Sequence, residues 1–204
     1  MRFINKYVRK RVGFNQFHNI MQRSEKEWKD FKSLDLGCGI GRHIRFLDEF
    51  GLNPFGIDLS DVAVSIGKEW FIELGCRDLT ERLKVGSVIA LPYEDETFEI
   101  CISAGTLDSM SREIAIKGIE EALRVLKKQG LMYLDLVMDT QKGDIDEIVQ
   151  DDLEKGTIQS YFTVDTIKSF IGNMVKIIEF KIITWCDEND NEINRRAHII
   201  IQKL

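Results

Sequence analysis

The chain has 204 residues, of which 44% are hydrophobic and 30% are charged, and its net charge is −6. This length suits one well-packed domain and is short for two. The cysteines are scattered, and no His lies near them at metal-ligand spacing, which argues against a metal site and a disulfide framework; they are Cys38, Cys76, Cys101 and Cys186. We therefore expect a single globular unit that works in a reducing compartment.

The N-terminal segment is basic, whereas the rest of the chain is acidic. Residues 1–33 hold nine Lys or Arg and three Asp or Glu, a net charge of +6, and the remainder has −12. Charges interrupt the segment too often for a signal peptide, and no later run approaches the roughly 18 apolar residues of a membrane helix. We expect a cytoplasmic protein without a membrane partner. The segment is either a solvated helix face or an arm for an anionic partner, and the acidic remainder argues against nucleic acid.

A strand, a glycine turn and a helix open the alternating part of the chain. The short apolar run "KSLDL" leads into Gly37, Gly39 and Gly41, after which apolar residues recur at helical spacing. The same order then repeats. A brief strand over residues 54–57 ends at an acid, Asp58, and the helix that follows has Ser60 and Asp61 as candidate N-cap residues.

Three further strands are predicted in "RLKVGSV", "FEICISAG" and "GLMYLDLVM". Between the last two lies a long amphipathic helix, "REIAIKGIEEALRVLKKQG", whose end we place at Gly130. Repeated strand and helix units of this kind predict a parallel sheet that is covered by helices on both faces.

The pattern changes after residue 139. Two shorter helices are predicted in "IDEIVQDDLEKG" and "TVDTIKSFIGNM", the second with Thr163 as its cap. The strand-like runs "VKIIEFKIITWCD" and "NRRAHIIIQKL" are joined by a turn-rich segment, so they must pair antiparallel. The expected fold class is α/β, with a doubly wound, mostly parallel sheet that ends in an antiparallel hairpin.

The glycine turn indicates a ligand site. Glycine permits positive φ and lets backbone N–H groups approach a ligand at the carboxyl end of the sheet. A nicotinamide dinucleotide fingerprint, GxGxxG, has its third glycine where this chain has Arg42, which argues against an oxidoreductase. Asp58 can accept hydrogen bonds from both hydroxyls of a ribose. Several cofactor classes share this combination.

Longer blocks of sequence narrow the choice of cofactor. In order and spacing, "LDLGCGIGRH", "GIDLS", "GSVIALPYEDETFEICISAGTLDSM" and "EALRVLKKQGLMYLDL" resemble the class I S-adenosylmethionine-dependent methyltransferases over residues 31–138. The resemblance implies a Rossmann-like sheet of seven strands, S-adenosylmethionine as cofactor, and methyl transfer to a nucleophilic atom of an acceptor. It also implies a helical arm or lid over residues 1–30 and a cofactor-binding domain over residues 31–204.

The resemblance assigns cofactor contacts residue by residue. Asp35 matches the acid near the amino end of the methionine portion. The turn beneath that portion and the ribose is matched by Gly37, Cys38, Gly39 and Gly41. Asp58 matches the acid that binds the ribose hydroxyls. The positions beside the adenine are Leu59, Ser87 and Val88, and those that face the methyl group are Ser103, Ala104 and Thr106.

Two departures from the family pattern concern the adenine and the acceptor. Ser87 stands where many relatives have a carboxylate for the adenine amino group. Asp108 and Ser109 stand where many have a pair of histidines. Any role of those histidines therefore does not transfer to this chain.

Methyl transfer from a sulfonium is a single displacement that depends mainly on alignment and exclusion of water. A base is needed only if the acceptor must lose a proton, and the candidates are Asp108, His18 and Tyr161. We expect a small-molecule acceptor and assign no oligomeric state. The alternatives are a protein or RNA acceptor bound through the basic arm, and a non-catalytic cofactor-binding sensor or partner subunit.

Overall fold

The computed structural model describes residues 31–139, 143–150 and 155–204. The predicted arm over residues 1–30, with the candidate base His18, lies outside these ranges. The strands are β1 (Lys32–Leu36), β2 (Asn53–Asp58), β3 (Leu83–Val85), β4 (Phe98–Ala104), β5 (Leu126–Val137), β6 (Ile145–Ile148), β7 (Ile158–Tyr161), β8 (Val175–Cys186) and β9 (Glu192–Lys203). The α-helices are α1 (Arg42–Glu49), α2 (Asp61–Glu73), α3 (Arg112–Val125) and α4 (Val164–Ile171), and 3₁₀ turns span Arg77–Arg82 and Gly172–Met174.

Seven strands form one sheet in the order β3-β2-β1-β4-β5-β9-β8, and β6 and β7 form a separate pair. Strands β1 to β5 run parallel, whereas β9 pairs antiparallel with both β5 and β8. The predicted fold class is confirmed. The strand order reverses between β1 and β4, and in doubly wound sheets the crevice at the carboxyl ends of such strands is the usual ligand site.

Buried apolar side chains from the helices cover both faces of the sheet. The largest cluster joins α3 and α4 to β4, β5 and β9, and it includes Ala115, Ile119, Ile167, Ile171, Leu134, Ile199 and Ile201. A second cluster packs Leu47 of α1 on Ile100, Ile102 and Ile200. A third joins α1 to α2 through Ile44, Val64 and Phe71. This packing holds the ends of β1, β2 and β4 in fixed relative positions.

The predicted helix caps are confirmed. Ser60 Oγ accepts a hydrogen bond of 3.1 Å from the backbone N–H of Ala63 at the start of α2. Thr163 Oγ1 accepts one of 3.2 Å from the N–H of Thr166 at the start of α4.

The helix predicted over residues 145–156 is wrong, because its first part forms strand β6, paired antiparallel with β7. Ile145 and Ile148 have helical spacing, but tertiary contacts override it. The Asp146 carboxylate accepts hydrogen bonds from Ser160 Oγ at 2.8 Å and from Arg112 Nε at 3.0 Å. These contacts tie β6 to β7 and to the start of α3.

The predicted end of α3 at Gly130 is also wrong. The helix ends at Val125, and strand β5 begins at the next residue. A Cβ atom at Gly130 would lie 2.8 Å from the carbonyl oxygen of Lys127 and 3.0 Å from that of Glu99. Gly130 therefore allows two backbone segments to approach each other closely, and it does not cap the helix.

Among the residues that the structure describes, no helix combines the length and the apolar character that a membrane span requires. Nor do the described ranges contain a group of three or more His, Cys, Asp or Glu side chains placed to hold a metal ion.

Gly67 in α2 provides a test of how tightly this helix packs on the glycine turn. A Cβ atom there would lie 2.7 Å from the backbone oxygen of Ile40. A Gly to Ala change inside a helix ordinarily stabilises it by about 1 kcal/mol. We expect Gly67→Ala to lower the free energy of unfolding by about 1–3 kcal/mol, because the backbone at Ile40 must move.

Urea denaturation measures this difference, and Ser65→Ala on the exposed side of the same helix is the control. We expect the control to leave the free energy of unfolding unchanged or slightly higher. Stabilisation by both changes would contradict the close contact between α2 and the turn.

Candidate functional site

The three glycines after β1 all have positive φ, with values of 67° at Gly37, 54° at Gly39 and 83° at Gly41. A Cβ atom at Gly37 would lie 2.2 Å from Thr106 Cγ2, and one at Gly41 would lie 2.7 Å from Phe71 Cζ. At Gly39, by contrast, no atom lies within 4 Å of the Cβ position. Two glycines are thus required by close packing, whereas Gly39 borders open space.

Hydrogen bonds attach the glycine turn to the end of β2. The N–H groups of Gly37 and Cys38 both donate to the carbonyl oxygen of Ile57, at 2.8 and 3.0 Å. The N–H of Gly39 donates to Asp58 Oδ2 at 2.7 Å, and that of Ser60 donates to Asp58 Oδ1 at 2.9 Å. Each carboxylate oxygen has two lone pairs, so Asp58 can accept further hydrogen bonds from a ligand.

A cavity of about 380 Å³ lies above the turn; we call it the glycine-turn cavity. Its walls bring together the end of β1, the start of α1 and the end of β4, and its lining residues are Gly37, Cys38, Gly39, Ile40, Arg42, His43, Ala63, Ala104, Gly105 and Thr106. Helix α1 begins at this cavity with no side-chain cap and no acidic residue in its first turn. Its first N–H groups therefore present a partial positive charge to a ligand.

The predicted acid Asp35 lies behind the cavity wall and is 1% exposed. Its Oδ2 is 3.2 Å from Nδ1 of His43, a residue of the first turn of α1. His43 is not among the site residues predicted from the sequence. Its place in the first turn of the helix that follows the glycine turn is the signal that could have found it.

Cys38 contributes packing to the turn. Its side chain is 7% exposed, and a Cβ atom at Gly56 would lie 2.7 Å from its sulfur. Burial raises the pKa of the Cys38 thiol, and the negative charges of Asp35 and Asp58 raise it further. The thiol therefore stays protonated at neutral pH and is a poor nucleophile.

The residues predicted to contact adenine border Asp58 and do not line the cavity. Leu59 follows Asp58 and is 77% exposed. The N–H of Gly86 donates to the carbonyl oxygen of Asp58 at 2.9 Å, which places the next residue, Ser87, near that strand end. Ser87 Oγ accepts a long hydrogen bond, 3.4 Å, from the N–H of Ile89. The Val88 side chain belongs to the hydrophobic core, so only its main chain remains for a ligand.

Of the residues predicted to face the methyl group, Ala104 and Thr106 line the cavity. Thr106 Oγ1 is 3.4 Å from the carbonyl oxygen of Gly37, which joins the end of β4 to the glycine turn. Ser103 is fully buried, and its Oγ has no hydrogen-bond partner among the described residues. It lies inside the sheet and not on the cavity wall.

A second cavity, of about 340 Å³, lies at the carboxyl end of β5; we call it the polar pocket. Its lining includes the candidate base Tyr161, and the full set is Val137, Met138, Asp139, Gln159, Tyr161, Glu192, Ile193, Asn194, Arg195 and Arg196. Strands β4 and β5 are parallel neighbours, with Ala104 opposite Asp135. The polar pocket and the glycine-turn cavity therefore lie at the same edge of the sheet.

The candidate base Asp108 is buried beside the polar pocket and is 1% exposed. Its Oδ2 accepts hydrogen bonds from Arg196 Nη2 at 2.6 Å and from the N–H of Val137 at 3.1 Å. Burial raises the pKa of Asp108 and the charge of Asp135 raises it further, whereas Arg196 lowers it. Asp108 lines neither cavity, so these contacts give it a structural role, and its catalytic role stays a prediction.

Comparison with known proteins agrees with this geometry. A family profile described as "Methyltransferase domain" matches residues 34–130. A solved structure of a SAM-dependent methyltransferase from Methanosarcina mazei superposes with a TM-score of 0.75 over 91% of this chain and 97% of that chain, at 22% identity. The resemblance to the class I methyltransferases is confirmed. The profile matches just under half of the chain, and the structural likeness, at 22% identity, shows the fold.

Two curated relatives differ in the acceptors that their names give. A sterol 4-C-methyltransferase of Caenorhabditis elegans is 28% identical over 113 residues, which cover 55% of this chain and 33% of that protein. A tRNA (carboxymethyluridine(34)-5-O)-methyltransferase of Arabidopsis thaliana is 32% identical over 106 residues, 50% of this chain and 22% of that protein. The matches span less than half of these relatives, so their acceptors do not carry over.

Arg196→Met tests the buried ion cluster. This change leaves Asp108 and Asp135 buried without their cation, and we expect it to lower the free energy of unfolding by about 3–5 kcal/mol near pH 7. Without Arg196 the pKa of Asp108 in the folded state rises further above its unfolded value, so the folded state binds more protons. The loss of stability should therefore decrease as the pH falls.

Urea denaturation at about pH 7.5 and about pH 5.5 measures this dependence, and wild type is subtracted at each pH. Arg195→Met is the control, because Arg195 pairs with Glu192 at the rim. A loss that is equal at the two pH values, or equal for the two variants, would contradict the cluster.

Proposed function

We propose that this chain is an S-adenosylmethionine-dependent methyltransferase with a small-molecule acceptor. The cofactor binds in the glycine-turn cavity, and the acceptor binds in the polar pocket. One observation carries the proposal: Gly37 and Gly39 line the same cavity as Ala104 and Thr106. This cavity lies where the strand order reverses between β1 and β4, which is the usual ligand site of doubly wound sheets.

The residues present fit the cofactor. The open space beside Gly39 leaves room for the methionine portion to lie against the backbone of the turn. The N–H groups in the first turn of α1 suit its carboxylate, and the charge of Asp35, which is buried behind the cavity wall, favours its ammonium. Asp58 retains lone pairs for the ribose hydroxyls, and the exposed side chain of Leu59 offers an apolar surface to adenine.

The bound cofactor supplies an electrophilic methyl group on a sulfonium. The part of this chain is to align the acceptor with that group and to exclude water. Ala104 and Thr106 border the cavity on the side of the polar pocket and would form the passage between the two ligands. Of the predicted bases, Tyr161 lines the polar pocket, so we assign it to the acceptor side.

The size of the polar pocket supports a small acceptor. Cavities of roughly 300–1,000 Å³ are the usual sites for small molecules, and this one measures about 340 Å³. Its lining is mainly polar, which suits a compact ligand with hydrogen-bonding groups.

Gly39→Ala tests whether the ligand lies against the glycine turn. The added methyl group occupies space that we assign to the cofactor, so the dissociation constant of S-adenosylmethionine should rise at least about tenfold, equivalent to about 1.4 kcal/mol. Calorimetric titration of the full chain measures it. S-adenosylhomocysteine serves as a second ligand, and NAD should not bind.

Gly51→Ala is a matched control, because Gly51 also has positive φ and also has no atom within 4 Å of its Cβ position. Both changes strain the backbone by a similar amount. If the two variants bind S-adenosylmethionine equally, the cofactor does not lie against Gly39.

Asp58→Ala tests the ribose contact. Hydrogen bonds to a charged group contribute about 1.5–3 kcal/mol, so the affinity for S-adenosylmethionine should fall roughly 10- to 100-fold. Asp61→Ala, which removes an exposed carboxylate at the start of α2, should leave the affinity unchanged. An affinity of Asp58→Ala within twofold of wild type would show that Asp58 does not hold the ribose.

A further inference from the structure

Beneath the polar pocket, one guanidinium is paired with two carboxylates: Arg196 lines the pocket, whereas Asp108 and Asp135 lie behind it. The Arg196 guanidinium donates through Nη2 to Asp108 Oδ2 at 2.6 Å and through Nε to Asp135 Oδ1. The side chains of Asp108, Asp135 and Arg196 are 2%, 6% and 18% exposed. Two carboxylates therefore share one cation in a largely buried place, where water screens charge weakly.

Two basic side chains near the cluster, His198 of β9 and Lys181 of β8, have partners of their own. His198 Nδ1 lies 2.7 Å from the Tyr133 hydroxyl and 4.0 Å from Asp135 Oδ1. The hydroxyl can donate to Nδ1 of a neutral imidazole, and that form adds no charge. Across the strand pair, Lys181 stands opposite His198 and is paired with Glu179 at 2.7 Å.

Gln159, which lines the polar pocket, offers a hydrogen-bond acceptor. Gln159 Nε2 donates to the carbonyl oxygens of Asp108 at 2.7 Å and Ser160 at 3.2 Å. These bonds fix the orientation of the amide, so Oε1 is the part of the side chain that remains for a ligand. At the rim, Arg195 pairs with Glu192, and the two charges cancel.

We propose that the polar pocket binds an amine and that an amine nitrogen is the methyl acceptor. An ammonium group can donate to Gln159 Oε1 and is attracted by the cluster of Asp108, Asp135 and Arg196. A carboxylate ligand would instead bring a third negative charge to one guanidinium. The role as methyl acceptor rests on the proposed function, whereas binding of the amine does not.

The charge movement in the reaction suits this pocket. The bound ammonium first releases a proton to bulk water, which gives the neutral nucleophile. The nitrogen lone pair then forms the N–C bond as the C–S bond of the donor breaks, and the electron pair of that bond stays on sulfur. The positive charge thus passes from sulfur to nitrogen, where the excess negative charge beneath the pocket stabilises it.

Ligand-observed NMR with the full chain tests the proposal by binding alone. The probes are ethanolamine, histamine and putrescine, each beside a carboxylate of similar size: glycolate, imidazole-4-acetate and succinate. The spectra are recorded with and without S-adenosylhomocysteine. We expect at least one amine to bind and its affinity to fall at least fivefold in Gln159→Leu. The matched control is Gln150→Leu on the surface beyond β6, which should bind that amine as wild type does.

Three results would overturn the proposal: binding of none of the amines, stronger binding of the carboxylates, or equal amine binding by Gln159→Leu and wild type. Failure of the proposed function has a different signature, because S-adenosylhomocysteine would then not bind in calorimetry. In that case amine binding that depends on Gln159 would still establish the ligand class of the pocket, but not a methyl acceptor.

Discussion

The hydrogen bond from the N–H of Gly39 to Asp58 Oδ2, at 2.7 Å, joins the two elements on which the site depends. The glycine turn follows β1, and Asp58 ends the neighbouring strand β2, so the bond fixes the turn relative to the sheet. The carbonyl oxygen of Ile57 holds the turn at a second point, through the N–H groups of Gly37 and Cys38. Because the turn is held from beneath, its upper side stays open to a ligand.

A buried cluster of charged side chains connects the segments around the polar pocket. Arg196 of β9 is paired with Asp135 of β5 and with Asp108 after β4. The carbonyl oxygen of Asp108 accepts a hydrogen bond of 2.8 Å from the N–H of Ser160 in β7. One buried cluster therefore links the antiparallel hairpin, the parallel sheet and the small β6–β7 pair. The polar pocket is bounded by these segments, so the charge that holds them together also determines which ligands suit the pocket.

The alternating strands and helices, the glycine turn and the caps at Ser60 and Thr163 can be predicted from the sequence, because each depends on residues only a few positions apart. Strand β6 could not be predicted, because Ile145 and Ile148 have helical spacing and only the pairing with β7 decides the outcome. The ion cluster joins Asp108 to a residue 88 positions later, and no short-range pattern marks such a pair. The polar pocket could not be predicted for the same reason, although Tyr161, which lines it, is a candidate base.

The most direct test of the cofactor site is a crystal structure of the full chain with S-adenosylhomocysteine. The account predicts that both ribose hydroxyls donate to the Asp58 carboxylate, while Oδ2 keeps its hydrogen bond from the N–H of Gly39. The homocysteine portion should lie against the turn from Gly37 to Gly39, with its sulfur directed toward Ala104 and Thr106. A ligand bound elsewhere, with the glycine-turn cavity filled only by water, would contradict the central claim.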